Sequence, residues 1–223
     1  MFELKIDKLY DLEHTIAREL FEGREYPWEV LPDIKSFILK LGASLDPEQF
    51  DHPAEDIWIA KDAVIAPTAC LNGPLIVDHH AEIRHCAFVR GNAVVGKKAV
   101  VGNSTELKNC VLFDGVQVPH YNYVGDSVLG YLAHMGAGSI TSNVKSDKKN
   151  IVIHAGDGIG TGLRKVGAML GDRVEVGCNS VLNPGTVIGR DSIIYPTSCV
   201  RSVVPEMHIY KGEGRIVVRK QEV

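Results

Sequence analysis

Large apolar residues recur every six positions at Ile59, Ile65, Leu71, Val77, Ile83, Val89, Val95, Val101, Leu107 and Phe113. Four residues after each stands Ala63, Ala69, Leu75, Ala81, Ala87, Ala93, Ala99, Thr105, Val111 or Gln117, so a column of mostly small residues runs beside the first. The period returns at Leu170, Val176, Leu182, Ile188 and Ile194, and Val124, Leu129 and Met135 bridge the two runs with one shortened step. A period of six drifts around the 3.6-residue turn of an α-helix and gives it no apolar face. It suits a solenoid in which each unit supplies one short strand and one corner, neither able to bury its side chain alone. The pattern predicts an all-β fold over residues 57–212, a left-handed parallel β-helix of about six triangular coils. Coils stack at ~4.8 Å, so a residue lies almost over the one eighteen positions on. The glycines after many aliphatics (Gly96, Gly102, Gly125, Gly130, Gly136, Gly177, Gly189) are expected at corners with unusual dihedrals.

Residues 1–56 follow another rhythm. Leu9, Leu12, Ile16 and Leu20 recur at helical spacing between a candidate cap at Asp11 and a stop at Gly23. A second helix is predicted from Pro32, with Ile34, Phe37, Ile38 and Leu41 on one face and Gly42 at its end. This helical N-terminal segment is expected to cap the open end of the solenoid. Residues 143–165, polar, basic and glycine-rich, leave the six-residue register and are expected to form an extruded loop. Residues 213–223 read as a tail.

Composition narrows the partners. A net charge of -4 over 223 residues gives no electrostatic reason to bind nucleic acid or an anionic membrane. No stretch has the ~18 apolar residues of a membrane span, and the charged N-terminus has no signal-peptide core, so a cytoplasmic location is expected. The five cysteines form no C-x-x-C pair and read as reduced core or coil positions, with no metal site expected.

Arg90 and Lys108 each follow an interior aliphatic and lie eighteen residues apart, which places them on one face of adjacent coils. Two cations so close repel unless an anion lies between them, and together they suit a phosphate. Glu106 is placed either to screen that repulsion or to orient the lysine. From His120 to Asn143 the chain concentrates polar groups, among them Tyr123, Asp126 and His134, around the turn Gly136-Ala137-Gly138. A neutral histidine there can take a proton from an attacking amine, and exposed backbone N–H groups can hold an oxyanion.

The segment from Arg90 to Asn143 resembles the acetyltransferase domain of bifunctional N-acetylglucosamine-1-phosphate uridyltransferase/glucosamine-1-phosphate acetyltransferase enzymes and of archaeal sugar-1-phosphate nucleotidylyltransferase relatives. The motif is an Arg and a Lys one coil apart, followed by H-x-x-Y-x-G-D and G-A-G-[ST]-I-T-x-N, and the similarity extends over about residues 57–212. It implies an acetyl-CoA-dependent N-acetyltransferase in nucleotide-sugar metabolism, acting on an amino-sugar phosphate or a nucleotide-linked amino sugar. His120 would be the general base, with Asn143 and the Ala137 backbone as further catalytic groups. Arg90, Lys108, Tyr123, His134 and Lys149 would hold the substrate, and Cys178, Pro196 and Lys211 the coenzyme. The sites would lie between the subunits of a homotrimer, and the transfer would need no metal. His134, Val144 and Cys178 stand where the bacterial enzymes have Asn, Tyr and Ser. Nothing in residues 1–56 resembles the L-x-x-G-x-G-T signature of the nucleotidyltransferase half, so pyrophosphorylase activity is not expected.

Two other readings stay open on the sequence. One is a non-catalytic sugar-nucleotide-binding or oligomerisation module, which His134 and Cys178 favour. The other is a zinc carbonic anhydrase on the same fold, which needs two histidine ligands five residues apart; Gly125 stands five beyond His120.

Overall fold

A computed structural model of the chain describes residues 4–220; residues 1–3 of the N-terminal segment and 221–223 of the tail lie outside the described residues. From Ile57 onward the chain winds into a left-handed parallel β-helix with three walls. Wall 1 begins with strands Ile57–Ala60, Leu75–Val77 and Ala93–Val95, wall 2 with Val64–Ile65 and Glu82–Ile83, and wall 3 with Cys70–Leu71 and Phe88–Val89. Parallel pairing of Val77 with Val95, Ile65 with Ile83 and Leu71 with Val89 sets each residue beside the one eighteen positions on. Among the described residues walls 1 and 2 have eight rungs each and wall 3 seven, so the solenoid exceeds the expected six coils. Val200, Val204 and Tyr210 continue the buried columns beyond Ile194.

The register departs from the six-residue count at one place the sequence concealed. Strands Glu106–Leu112 and Tyr123–Leu129 run unbroken from wall 3 through the corner into wall 1. Leu107 and Leu112, five residues apart, are therefore the interior residues, and Leu112 rather than Phe113 stacks on Val95. Phe113 is displaced outside the prism, where it is fully buried against Tyr10 and Phe21, with ring centroids 5.1 and 5.5 Å away. Val111 and Gln117 leave the small-residue column for the same reason, and Gln117 is exposed.

The corner glycines serve distance rather than dihedral freedom. None of the seven has positive φ; that conformation falls at other corner residues such as Lys98 (φ 56), Ser104 (φ 54) and Asn179 (φ 55). At Gly102 a Cβ would stand 1.6 Å from the Pro119 carbonyl oxygen of the next coil, so only glycine lets the coils approach there.

Wall 1 carries three consecutive interior, outward and interior residues on its rungs from Leu75–Val77 to Thr186–Ile188. Its outward column of Ile76, Val94, Val111, Val128, Met169 and Val187 is fully buried. The N-terminal segment accounts for the lower part of that burial. Helix Ile34–Gly42 lies against Leu75–Val77, Ala93–Val95 and Glu106–Leu112, and the turn Pro27–Val30 against Tyr123–Leu129. The segment is thus a strap along a wall and not a plug in the open end, where strand Phe50–Ala54 pairs antiparallel with Ile57–Ala60 instead.

The second predicted helix forms, with Ile34 and Ile38 buried. The first breaks into Ile6–Leu9 and short 3-10 turns at Leu12–His14 and Arg18–Phe21. Its backbone groups are engaged by the solenoid: Asp172 N–H donates to the Leu9 carbonyl (3.0 Å), Asp11 N–H to the Asp172 carboxylate (2.8 Å), and Asp114 N–H to the His14 carbonyl (3.0 Å). A continuous helix would have claimed those groups itself.

The loop leaves after Asn143 and rejoins where Val166 N–H donates to the Asn143 carbonyl (3.1 Å). It is not structureless. Val152–Ile153 and Ile159–Gly160 form a hairpin, and buried Ile151 and Ile153 sit against Gly185. Ile216–Val218, expected in the tail, folds back antiparallel on His208–Tyr210.

Candidate active site

Wall 3 forms a floor about three residues (~10 Å) wide between two edges, and the candidate groups line both. Along the edge toward wall 1, Arg90 N–H donates to the Leu107 carbonyl (2.9 Å), which sets Arg90 beside Lys108 on the next coil as the eighteen-residue spacing predicts. No single anion is needed to hold the two apart, because each has its own carboxylate. Arg90 Nη1 donates to Glu106 Oε1 (2.9 Å), and Lys108 Nζ donates to both oxygens of Asp126 (2.8 and 2.9 Å). The bond to Glu106 raises the guanidinium's already high pKa. Of the two roles open to Glu106, it takes the screening one, toward Arg90.

Asp126 is the hub of this edge, only 3% exposed. Besides Lys108 it accepts from Asn109 Nδ2 (2.9 Å) and Asn143 Nδ2 (2.5 Å), and Asn143 Nδ2 also donates to the Tyr123 hydroxyl (3.2 Å). Burial raises the Tyr123 phenol, opposed by that bond from Asn143, so the side chain stays neutral at physiological pH. Asn109 Nδ2 reaches the strap as well, donating to the Leu31 carbonyl (3.2 Å). A Cβ at Gly125 would stand 2.4 Å from the Tyr123 hydroxyl, so the ring needs a glycine beneath it.

Along the edge toward wall 2 the corners stack His85, Asn103, His120, Ala137, Cys178 and Pro196 one above another. Each coil is tied to the next: Gly138 N–H donates to the His120 carbonyl (3.0 Å), Asn179 N–H to the Ala137 carbonyl (2.8 Å), and Thr197 N–H to the Cys178 carbonyl (2.8 Å). The expected base, the oxyanion turn and two coenzyme positions thus share one edge. The His120 ring is exposed, and among the described residues it has no hydrogen-bond or ion-pair partner, only the Tyr121 ring with its centroid 6.0 Å away. Gly136 N–H is taken by the Val176 carbonyl (2.7 Å) and Gly138 N–H by His120, which leaves Ala137 N–H without a partner among the described residues. Among the described residues the turn Gly136-Ala137-Gly138 therefore offers one free backbone donor, at Ala137. Lys211 lies higher on this edge, its Nζ 5.6 Å from the centroid of the Tyr195 ring.

Two expected residues are not brought to wall 3. His134 faces out from wall 2 and bonds Glu175 Oε2 through Nδ1 (2.7 Å). Lys149 is exposed on the loop, where its N–H donates to Asp147 (3.0 Å). Sequence reasoning missed the hub role of Asp126 and the clearance at Gly125. The signal was present, since the shortened step puts Lys108 beside Gly125 in the ladder and so next to Asp126. Among the described residues no three His, Cys, Asp or Glu side chains are grouped to hold a metal ion.

Residues 71–153 match the GMPPB C-terminal domain family. The chain is 31% identical over 199 residues to the bifunctional protein GlmU of Methanococcus maripaludis, an alignment covering 88% of this chain and 48% of that protein. It is 37% identical over 109 residues to the bifunctional sugar-1-phosphate nucleotidylyltransferase/acetyltransferase of Sulfurisphaera tokodaii, covering 48% of this chain and 27% of the relative. The resemblance read from the motif stands. The chain spans about half the length, or less, of these curated relatives. Among solved structures, a point mutant of the N-acyltransferase AntD from Bacillus cereus aligns with 74% of this chain and 81% of its own length, at 15% identity and a TM-score of 0.40, a likeness too slight to bear on activity.

Proposed function

We propose that the chain is an acetyl-CoA-dependent N-acetyltransferase acting on an amino-sugar phosphate or a nucleotide-linked amino sugar. The observation that carries this reading is the edge of wall 3, where the unpartnered His120 ring lies one coil from the free Ala137 N–H and in line with Cys178 and Pro196. The name of the Sulfurisphaera tokodaii relative, which includes acetyltransferase, agrees with it.

The acceptor amine attacks the thioester carbonyl carbon while His120 takes the amine's proton. Ala137 N–H donates to the oxyanion of the tetrahedral intermediate, and collapse breaks the C–S bond, the proton passing from His120 to the leaving thiolate. The coenzyme lies along the edge above His120, past Cys178 and Pro196 toward Lys211. Arg90, Lys108, Tyr123 and Asn143, fixed by Glu106 and Asp126, orient the sugar. His134 and Lys149 reach substrate only from a neighbouring copy or by movement of the loop. The strap covers the lower part of wall 1, so walls 2 and 3 are left for neighbours, and we place the sites between the subunits of a cytoplasmic homotrimer. No described helix is long and apolar enough to cross a membrane.

Thiol release from acetyl-CoA with a panel of amino-sugar phosphates and nucleotide-linked amino sugars tests the reading. His120→Ala is expected to lower kcat by about 10² to 10⁴ with coenzyme binding kept. No turnover with any acceptor, together with no calorimetric binding of acetyl-CoA, would leave the non-catalytic binding module in its place. Light scattering at a mass other than three chains would overturn the trimer.

A further inference from the structure

The column holding Arg90 and Lys108 continues upward through Gly125, Ser142 and Asn183 to Arg201, as the pairings of Val124 with Thr141, Thr141 with Leu182 and Leu182 with Val200 require. The 143–165 loop arches beside its upper part and encloses a cleft of about 420 Å³ lined by Ser142, Lys145, Ser146, His154, Asn183 and Arg201, among others. The cleft's charges differ in kind from those below. Arg90 and Lys108 are neutralised by Glu106 and Asp126, whereas the Arg201 guanidinium and the His154 ring have no partner among the described residues, nor do the hydroxyls of Ser142 and Ser146. Asp147, the one acid in the lining, is held by Lys145 (3.6 Å) and the Lys149 N–H (3.0 Å), which keep its carboxyl below the usual range. Burial of Ile151 and Ile153 fixes the loop that forms the roof, so the cleft is built before any ligand arrives.

We propose that this cleft binds the diphosphate of a nucleotide, and hence that the acceptor is a nucleotide-linked amino sugar and not a sugar monophosphate. An unpaired arginine among free hydroxyls suits phosphate oxygens, while the paired cations below would have to give up their carboxylates to take an anion. Arg201 stands three coils above Tyr123, about 14 Å at ~4.8 Å per coil. A hexose monophosphate seated on Tyr123 and Asn143 does not span that rise; a sugar joined through a diphosphate to a nucleoside does. The site itself needs only the cleft, and the choice of acceptor rests on the acetyltransferase reading.

Calorimetric titration of the whole protein with UDP, GDP and ADP, without acetyl-CoA, tests it. Saturable binding is expected for at least one of them. Arg201→Ala should weaken it about tenfold or more, the loss of one charge-assisted contact, while Arg90→Ala leaves it within about twofold. Both side chains are exposed, so neither change burdens the fold. No binding by the unaltered protein, or weakening by Arg90→Ala with Arg201→Ala unchanged, overturns the proposal. Diphosphate binding lost with Arg201 but no acetyl transfer to any amino sugar would keep the site and remove the reading; transfer to sugar monophosphates alone, without diphosphate binding, would do the reverse.

Discussion

Asp126 decides how the lower site holds together. Its carboxylate is nearly buried and accepts from Lys108, Asn109 and Asn143 at once, so its removal strands an ammonium whose side chain is only 23% exposed. Breaking one half of a largely buried ion pair typically costs about 3–5 kcal/mol. We expect Asp126→Ala to lose about 3 kcal/mol in urea denaturation, the low end because Lys108 retains some water. Asp78 is the opposite case. It is fully buried, one carboxylate oxygen has no hydrogen-bond partner among the described residues, and burial raises its pKa above the usual range. A carboxyl whose folded pKa lies above its unfolded value of ~3.9 binds its proton more tightly when folded, so stability falls as pH rises through that interval and stays lower above it. Asp78→Asn should therefore gain stability relative to the parent between about pH 3 and pH 7. A stability difference that does not change with pH would show that burial of this charge is not felt.

Among the elements, the strap and wall 1 depend on one aromatic cluster. Phe113 joins Tyr10 and Phe21 outside the prism, so Phe113→Ala empties the joint between segment and solenoid without touching the interior columns. The expected cost is about 3–5 kcal/mol, with faster amide exchange concentrated in residues 4–30. Exchange spread evenly over the coils would contradict it. Phe113 also marks where the sequence was ambiguous. Leu112 and Phe113 are both apolar, so steps of five and six from Leu107 read alike, and only the ladder to Val95 chooses. The strap's docking wall was legible in principle, since LIV, AVV and AML on wall 1 show three apolar residues per rung where VI, EI and HM on wall 2 show two or fewer. The adjacency of Arg90 and Lys108 followed from spacing alone. Glu106 was also placed by its position two residues before Lys108, but Asp126 was not, because it meets Lys108 only across a coil one residue short. Arg201 was hidden by the loop, which breaks the count between Ser142 and Asn183.

At the scale of the whole molecule, regular stacking turns a linear code into two parallel edges, one bearing His120 and the other Arg90, Lys108 and Asn143. The strap closes the third side. Slow closure is expected for a reason of topology: Leu9 and Asp11 are fastened by Asp172, about 160 residues away in the chain, and His14 by Asp114. Contacts of such separation form late, because their loop entropy is offset only once the intervening coils exist. Pulse-labelled exchange during refolding should find residues 6–14 protected after the rungs at Val77 and Val95, so an opening stretch of the chain is among the last to find its place. Until then Phe113 and Val128, which Tyr10 meets, lie bare, and the half-wound solenoid presents a sticky flank that a chaperone, or another unfinished chain, can reach before its own strap does.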